Sequence, residues 1–285
     1  MNIFTRLQTI DRRVLYLLIA LVITVPLLVR PGRHPRVKFN EVRNAYKTIS
    51  NVPKDKLVII SITWGPGTTA ENGPQTEVMM RHLFQRGVKF AVVSWDQAGN
   101  ELSYEIGKKL EKEMGKKYGV DWVHLGYRVY YPQVVFRGMA QNFQKVMEYD
   151  KFHTPLSKLP AVSGVKTSKD IGAVIEITPS GTLELWIAYF NGPYRIPLIY
   201  CPTAVMAAEA YPYIDSGQIN GMLNGVIGAA QYEALIGMQN AKTDAAATSW
   251  ALSAAHIFII LLIVVGNLGY LATKRAARGG NGGGR

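Results

Sequence analysis

Two long apolar segments, one near each end, most strongly limit what this chain can fold into. Residues 14–29 read VLYLLIALVITVPLLV and residues 251–272 read ALSAAHIFIILLIVVGNLGYLA, and neither carries a charged side chain. A helix rises about 1.5 Å per residue, so roughly 20 apolar residues cross the hydrocarbon core of a bilayer, which is about 30 Å thick. This pattern predicts two transmembrane helices, over residues 14–30 and 250–272, with one globular domain between them.

Basic residues are concentrated beside these two segments. Residues 1–39 contain seven Lys or Arg and one acid, and residues 250–285 contain four Lys or Arg and no acid. These clusters supply most of the net charge of +12, and basic residues in such positions interact with anionic lipid headgroups. The middle of the chain is nearly balanced in charge, so we expect the lipid bilayer as a partner and no binding of nucleic acid.

The domain organisation that we expect follows from these features. No A-x-A cleavage pattern comes after the first apolar segment, so we interpret that segment as an uncleaved signal anchor. The predicted parts are a basic tail at 1–13, the first membrane helix at 14–30, a juxtamembrane linker at 31–50, an α/β domain at 51–240, the second membrane helix at 250–272 and a basic, glycine-rich tail at 273–285.

The basic flanks also bear on orientation. A short, basic C-terminal tail predicts that both termini are cytoplasmic, because basic loops tend to stay on that side. The α/β domain would then lie outside the plasma membrane. Four basic residues contradict this placement because they follow the first helix on the outer side, namely Arg30, Arg33, Arg36 and Lys38. The opposite orientation therefore stays open.

Strand-like and helix-like patterns alternate between the two segments. Short apolar runs predict five buried parallel strands, at 57–64, 88–95, 121–126, 170–178 and 196–201. A short helix is expected at 41–50, before Pro53. Helical periodicity is found at 75–86, 101–118, 132–149, 204–210 and 218–238, while 183–190 fits either a helix or a strand. The alternation predicts an α/β fold, with a doubly wound, mainly parallel five-stranded sheet of flavodoxin-like or Rossmann-like architecture flanked by helices.

Polar residues follow these strands at the edge where such folds bind ligands. The loop at 65–73 lacks both the lysine of a P-loop and the spacing of a dinucleotide fingerprint, and a plain turn is the competing interpretation. An Asx turn competes in the same way for Asp96. The predicted ligand-binding residues are Gly65, Gly67, Thr68, Thr69, Asp96, Arg128, Ser180 and Thr203.

Catalytic and metal-binding patterns are weak in this sequence. The single cysteine, Cys201, invites a nucleophile hypothesis with His124 or His153 as the base, but Pro202 follows it and a small buried apolar role is favoured. The five histidines are dispersed without the spacing of metal ligands. We therefore predict no catalytic residue, no metal and no cofactor.

The predicted helix at 218–238 is unusually rich in glycine. Gly221 and Gly225 form a G-x-x-x-G pattern, and Gly228 follows on the same segment. Each glycine costs a helix about 1 kcal/mol relative to alanine, so close packing is expected in return. The partner surface is either the domain's own sheet or a second copy or partner helix at the membrane.

These patterns favour a membrane-anchored α/β domain that acts as a binding or assembly component of a membrane complex. The expected partners are other membrane proteins or a second copy of the chain. One alternative is a membrane-tethered hydrolase or transferase that uses Asp96, the threonines of the first loop and Cys201 at the sheet edge. Another alternative is a ligand-sensing domain.

Overall fold

The computed structural model describes residues 11–32, 34–129 and 132–280, and they fall into two compact units. One unit combines the N-terminal segment up to Gly32 with the C-terminal segment from Lys242, and the other extends from Arg33 to Ala241. The predicted tail at 1–13 lies mostly outside the described residues, as does the end of the predicted tail at 273–285.

The secondary structure alternates as expected. The helices are α1 (Arg12–Val29), α2 (Asn40–Ser50), α3 (Thr69–Arg86), α4 (Gln97–Met114), α5 (Pro132–Gln141), α6 (Phe143–Met147), α7 (Leu183–Trp186), α8 (Gly192–Tyr194), α9 (Tyr211–Asp215), α10 (Gly225–Leu235) and α11 (Asp244–Gly280). A π-helical turn (Ile187–Asn191) joins α7 to α8. The strands are β1 (Leu57–Ile62), β2 (Phe90–Ser94), β3 (Trp122–Tyr127), β4 (Ile171–Thr178), β5 (Leu198–Pro202) and β6 (Gly221–Met222).

Helices α1 and α11 make up the terminal unit. They pack against each other, and Arg30 Nη2 lies 3.0 Å from Asp244 Oδ1. The segments Arg12–Val29 and Asp244–Ala272 are long enough and apolar enough to cross a membrane, judged by length and composition. Their apolar side chains are largely exposed, with Leu28 at 77% and Ile257 at 60%. The second apolar helix begins at Asp244, six residues before the predicted start at 250.

The sheet has six strands in the described chain, all parallel, in the order β3-β2-β1-β4-β5-β6. This is the strand order of Rossmann-type sheets rather than the flavodoxin order. β2 and β3 lie on one side of β1, and β4, β5 and β6 lie on the other, so the order reverses between β1 and β4. The predicted α/β fold with a parallel, helix-flanked sheet is confirmed. The predicted number of five strands is wrong, because the two-residue strand β6 carries no periodic pattern.

Helices cover the two faces of the sheet in separate groups. On one face, Ile62 of β1 meets Gly99 of α4, where an added Cβ would lie 3.0 Å from Ile62 Cγ2. On the other face, Ile59 of β1 belongs to a core cluster with Phe136 of α5 and Trp186 of α7. Alternate residues of β1 therefore point into two different cores, which explains why its whole length is buried.

Both edges of the sheet are covered. Helix α2 packs on β6 so closely that a Cβ on Gly221 would lie 2.3 Å from the backbone nitrogen of Ala45. At the opposite edge, Lys151 N donates a hydrogen bond to the carbonyl of His124 in β3 at 2.7 Å. Residues 31–50 are therefore not simply a linker, because α2 belongs to the domain and buries Val42, Ala45 and Ile49.

The glycine-rich segment also differs from its prediction. Gly221 lies in β6, opposite Ile199 of β5, and the helix begins only at Gly225. The helical G-x-x-x-G face on which an assembly role depended is thus not formed. All three glycines approach atoms of their own domain, since a Cβ on Gly225 or Gly228 would lie within 2.7 Å of Glu71 or Leu223. Gly221 and Met222 pair with Ile199 and Tyr200 of β5, so this part of the segment is a strand and not the start of the predicted helix.

Candidate functional site

The carboxyl ends of β1 and β4 form the point at which the strand order reverses. β1 continues into α3, and β4 continues into α7 on the opposite face of the sheet. Thr63 N donates to the carbonyl of Ile177 at 3.1 Å, so the two strands are still joined at this level. Connections that leave to opposite faces open a crevice above such a pair of strands. We refer to Thr63, Glu176, Thr178, Ser180 and Thr182 as the switch-point crevice.

Glu176 is the central residue of the crevice. It lies in β4 and is completely buried. Thr63 Oγ1 donates to Glu176 Oε1 at 3.1 Å, and Thr182 Oγ1 donates to the same oxygen. The second oxygen, Oε2, is also buried and has no hydrogen-bond partner among the described residues. A buried polar atom without a partner costs stability, so it needs an explanation in function or in a bound group.

The environment of Glu176 favours the neutral acid. Burial raises the pKa of this carboxyl to about 7, against the opposing effect of the neighbouring Ser61, Thr182 and Thr63. No ion pair in the described part of the chain involves Glu176. The carboxyl is therefore harder to ionise than an exposed glutamate, and no basic side chain among the described residues compensates its charge.

Two indoles hold Ser61 beside this carboxyl. Trp95 Nε1 and Trp186 Nε1 donate to Ser61 Oγ at 2.9 and 3.1 Å. A hydroxyl oxygen has two lone pairs, and both are now used, so Ser61 can only donate its own proton. Ser61 is the partner of Glu176 in the register of β1 and β4, and it lowers the pKa of that carboxyl. The two indoles therefore leave Ser61 able only to donate, on the same face of the sheet as Glu176.

Aromatic rings close the crevice on its inner side. The ring of Phe136 stacks on Trp95 with centroids 4.8 Å apart, and it meets the ring of Trp186 at 4.7 Å. On the outer side, Thr63 and Ser180 are only half-buried. The carboxyl of Glu176 is therefore fully buried, and the hydroxyl-bearing residues Thr63 and Ser180 are the more exposed members of the crevice.

The structure brings some of the predicted ligand-binding residues to this edge. Ser180 lies in the crevice, where its Oγ is 2.9 Å from Thr178 Oγ1. Asp96 caps α4 through a hydrogen bond of 2.7 Å from Gly99 N, so the Asx-turn interpretation describes its geometry. Gly65 approaches the same carboxylate, since an added Cβ would lie 3.3 Å from Asp96 Oδ1.

The first loop forms a short helical turn stabilised by its own hydrogen bonds. Gly67 and Thr68 lie in a short 3₁₀ turn, and Thr69 Oγ1 donates back to the carbonyl of Pro66 at 3.1 Å. The first turn of α3 carries an acid, Glu71, which accepts a hydrogen bond from Ala204 N at 2.8 Å. A negative charge at this helix terminus disfavours phosphate and other anions.

Of the two remaining predicted residues, Arg128 lies away from the crevice and Thr203 lies beside it. Arg128 follows β3, three strand spacings of about 4.8 Å from β4. Its guanidinium donates to the carbonyls of Met147 and Tyr149, and burial lowers its pKa. Arg128 therefore completes the local structure beside β3 and does not contribute to the crevice. Thr203 is buried directly after β5 and follows Pro202, which pairs in register with Thr178 of the crevice.

The Cys–His hypothesis has no geometric basis. Cys201 in β5 is completely buried, and burial raises the pKa of its thiol. His124 lies in β3, four strand spacings of about 4.8 Å away. His153, the other proposed base, follows the same outer strand in the loop that covers the β3 edge. A thiol in this position is a small apolar core group.

A Ser–His contact elsewhere is also structural. Gly126 N donates to His124 Nδ1 at 3.0 Å, so the ring proton resides on Nε2. Nε2 is 2.9 Å from Ser103 Oγ and donates to it, while Ser103 donates to the carbonyl of Gly99 at 2.6 Å. Burial lowers the pKa of His124 to about 3. This imidazole cannot accept the Ser103 proton, so the pair does not form a nucleophile and base.

Sequence reasoning missed Glu176, although a signal for it was present. The strand IGAVIEIT is buried at nearly every position, and Glu176 is its only ionisable residue. Acids are almost never fully buried unless they are paired. A single carboxyl within an otherwise apolar parallel strand is therefore itself an indication of a site. No group of three or more metal-ligating side chains occurs within the residues that the structure covers.

Comparisons with known proteins leave the site to be interpreted from its own geometry. No protein-family model matches this chain, and neither does any curated protein or solved structure.

Proposed function

We propose that this protein is a membrane-anchored binding protein that does not act as a catalyst. In this proposal, α1 and α11 span a bilayer and hold the α/β domain at its surface. The domain binds a small ligand at the switch-point crevice. The observation that carries the proposal is the buried, unpartnered Oε2 of Glu176 at the point where this strand order offers a ligand site.

Membrane anchoring is supported by the terminal unit itself. Its two helices expose long apolar faces, and a surface of that kind is unfavourable in water but favourable in lipid. We expect the full chain to sediment with membranes, to resist extraction by high salt and alkaline carbonate, and to dissolve in detergent. Release of the protein by salt alone would contradict the anchoring.

The proposal places both termini in the cytoplasm and the domain outside the plasma membrane, because the C-terminal tail is short and basic. A reporter that is active only in the cytosol, fused after Arg285, is expected to be active. The same reporter inserted in the exposed part of the loop at 163–164 is expected to be inactive. The reverse pattern would place the domain in the cytoplasm without affecting the binding proposal.

Binding at the crevice is tested with the detergent-solubilised full chain. Small polar metabolites are screened by thermal unfolding against the wild type, Glu176→Gln and the control Glu105→Gln, which removes an exposed carboxylate from α4. We expect at least one compound or ion to raise the Tm of the wild type and the control but not of Glu176→Gln. Equal shifts in all three proteins would overturn the assignment of the crevice.

A second candidate function is acid–base catalysis at the same crevice. It is favoured by one observation, the pKa of about 7 at Glu176, because a group that titrates near the working pH can both donate and accept a proton. Turnover of a bound ligand, with a rate that depends on an ionisation near pH 7 and is lost in Glu176→Gln, would establish catalysis over simple binding.

A further inference from the structure

We propose that the switch-point crevice binds a small monovalent cation, which is either an alkali-metal ion or the primary ammonium group of an organic ligand. The cation would lie against the carboxylate of Glu176 and the hydroxyl groups of the crevice. This inference rests on the proposed binding function and specifies the chemistry of its ligand.

The charge distribution at this edge of the sheet favours a cation. Glu176 has no basic partner among the described residues, and the neighbouring loops add the carboxylates of Asp96 and Glu71. The one arginine that follows a strand here, Arg128, is tied to two carbonyls beyond β2. A ligand with a positive charge would compensate the buried carboxylate, whereas a phosphate or carboxylate group would be repelled.

The donor atoms are all oxygens. Beside the carboxyl of Glu176, the crevice offers the hydroxyl oxygens of Thr63, Thr178, Ser180 and Thr182. Hard cations prefer such oxygen ligands, while soft metals prefer sulfur and imidazole. A single carboxylate balances one positive charge, so a monovalent cation fits the site better than Mg²⁺ or Ca²⁺, which usually recruit several carboxylates.

The construction of the crevice also limits the size of its occupant. Thr178 and Thr182 are buried, and the indoles of Trp95 and Trp186 stand behind Ser61. Access is from the half-buried side of Thr63 and Ser180, beside the exposed Gly181, where an added Cβ would touch nothing. We therefore expect an ion or a single ammonium group to bind there, and a bulky quaternary ammonium not to bind.

The test compares cations at constant ionic strength and pH 8, using the detergent-solubilised full chain. The chlorides of sodium, potassium and methylammonium are titrated against tetramethylammonium chloride, with unfolding and tryptophan fluorescence as readouts. We expect at least one small cation to raise the Tm by about 5 to 10 °C at a hundredfold excess over its Kd. The fluorescence of Trp95 and Trp186 should change over the same concentration range.

Variants identify the site and the source of the cation. Glu176→Gln is expected to abolish the shift, Thr63→Val to weaken binding at least tenfold, and Glu105→Gln to leave it unchanged. Thr63→Val keeps the test decisive if Glu176→Gln does not fold. A response to sodium or potassium identifies a free ion as the ligand, and a response to methylammonium alone identifies an organic amine.

Identical Tm values in all four salts would overturn the inference, because Glu176 would then be a protonated structural group. If a neutral metabolite nevertheless gives a shift that depends on Glu176, the proposed binding function stands and only the cation chemistry fails. If no compound and no cation gives such a shift, both fail.

Discussion

His34 Nε2 lies 2.7 Å from Glu233 Oε2, although 199 residues separate them. Both side chains are buried, and His34 Nδ1 is also 3.0 Å from the carbonyl of Gln239. A carbonyl only accepts hydrogen bonds, so Nδ1 carries a proton, and the second ring nitrogen shares one with the carboxyl of Glu233. Gln231 Nε2 donates to the carbonyl of Arg36 at 3.0 Å in the same region. The segment that precedes α2 is thereby attached to α10.

The first prediction concerns this attachment. Glu233→Gln is expected to destabilise the domain by about 1 to 3 kcal/mol, because it replaces the carboxyl in a buried hydrogen bond with His34. Chemical denaturation of the solubilised chain, followed by tryptophan fluorescence, measures the difference. Glu105→Gln removes a carboxylate from an exposed position and should change the stability by less than about 0.5 kcal/mol. Equal stability of the two variants would show that the pair is not an important contact.

The second prediction is the pH dependence that Glu176 imposes. The pKa of this carboxyl rises from 4.5 to about 7 on folding, so the folded state binds the extra proton between those values. Stability is therefore greatest below about pH 4.5 with respect to this group, and it is lost as the pH rises through 7. The linked free energy is about 3 kcal/mol. Unfolding between pH 5 and pH 8, in tetramethylammonium buffer, measures it.

Glu176→Gln isolates this effect. A neutral amide does not titrate, so the stability of the variant relative to the wild type should increase by about 2.5 kcal/mol from pH 5 to pH 8. Any constant cost of fitting the amide cancels in this comparison. A difference that stays level across the range would mean that Glu176 has an ordinary pKa.

The third prediction concerns the glycine of β6. Gly221→Ala should destabilise the domain by about 1 to 3 kcal/mol, because the new Cβ would overlap the backbone of Ala45 in α2. Gly164→Ala is the matched control, since its Cβ would meet nothing within 4 Å. Thermal unfolding and complex size in detergent should be measured together. Loss of assembly at unchanged stability would instead favour the intermolecular role predicted from the sequence.

The fourth prediction concerns the two indoles behind the crevice. Ser61→Ala removes the hydroxyl that accepts from Trp95 Nε1 and Trp186 Nε1, so both buried donors lose this hydrogen bond. Such donors cost about 1 to 3 kcal/mol each, so we expect a loss of at least 2 kcal/mol or so, with altered tryptophan fluorescence. Ser163→Ala, at an exposed serine, should change neither quantity. An unchanged spectrum in Ser61→Ala would contradict the hydrogen bonds.

Elements with a strong local pattern were predictable. β1 and β2 are continuous apolar runs buried at every position, and this composition by itself indicates interior parallel strands. Helix α4 was placed to within about one turn because an apolar stripe marks its buried face. The single helix predicted at 132–149 is two helices in the structure, α5 and α6. The break is at Asn142, whose side chain accepts a hydrogen bond from Lys145 N and caps α6.

The sequence by itself determined the two apolar terminal helices, the α/β class and most of the parallel strands, because burial and periodicity act over a few neighbouring residues. Only the tertiary structure decided the strand order, the strand β6 and the place of α2 at the sheet edge. It also decided the crevice, where Thr63 meets Glu176 across 113 residues of chain. Contacts at that separation depend on which strands become neighbours, and no local pattern contains that information.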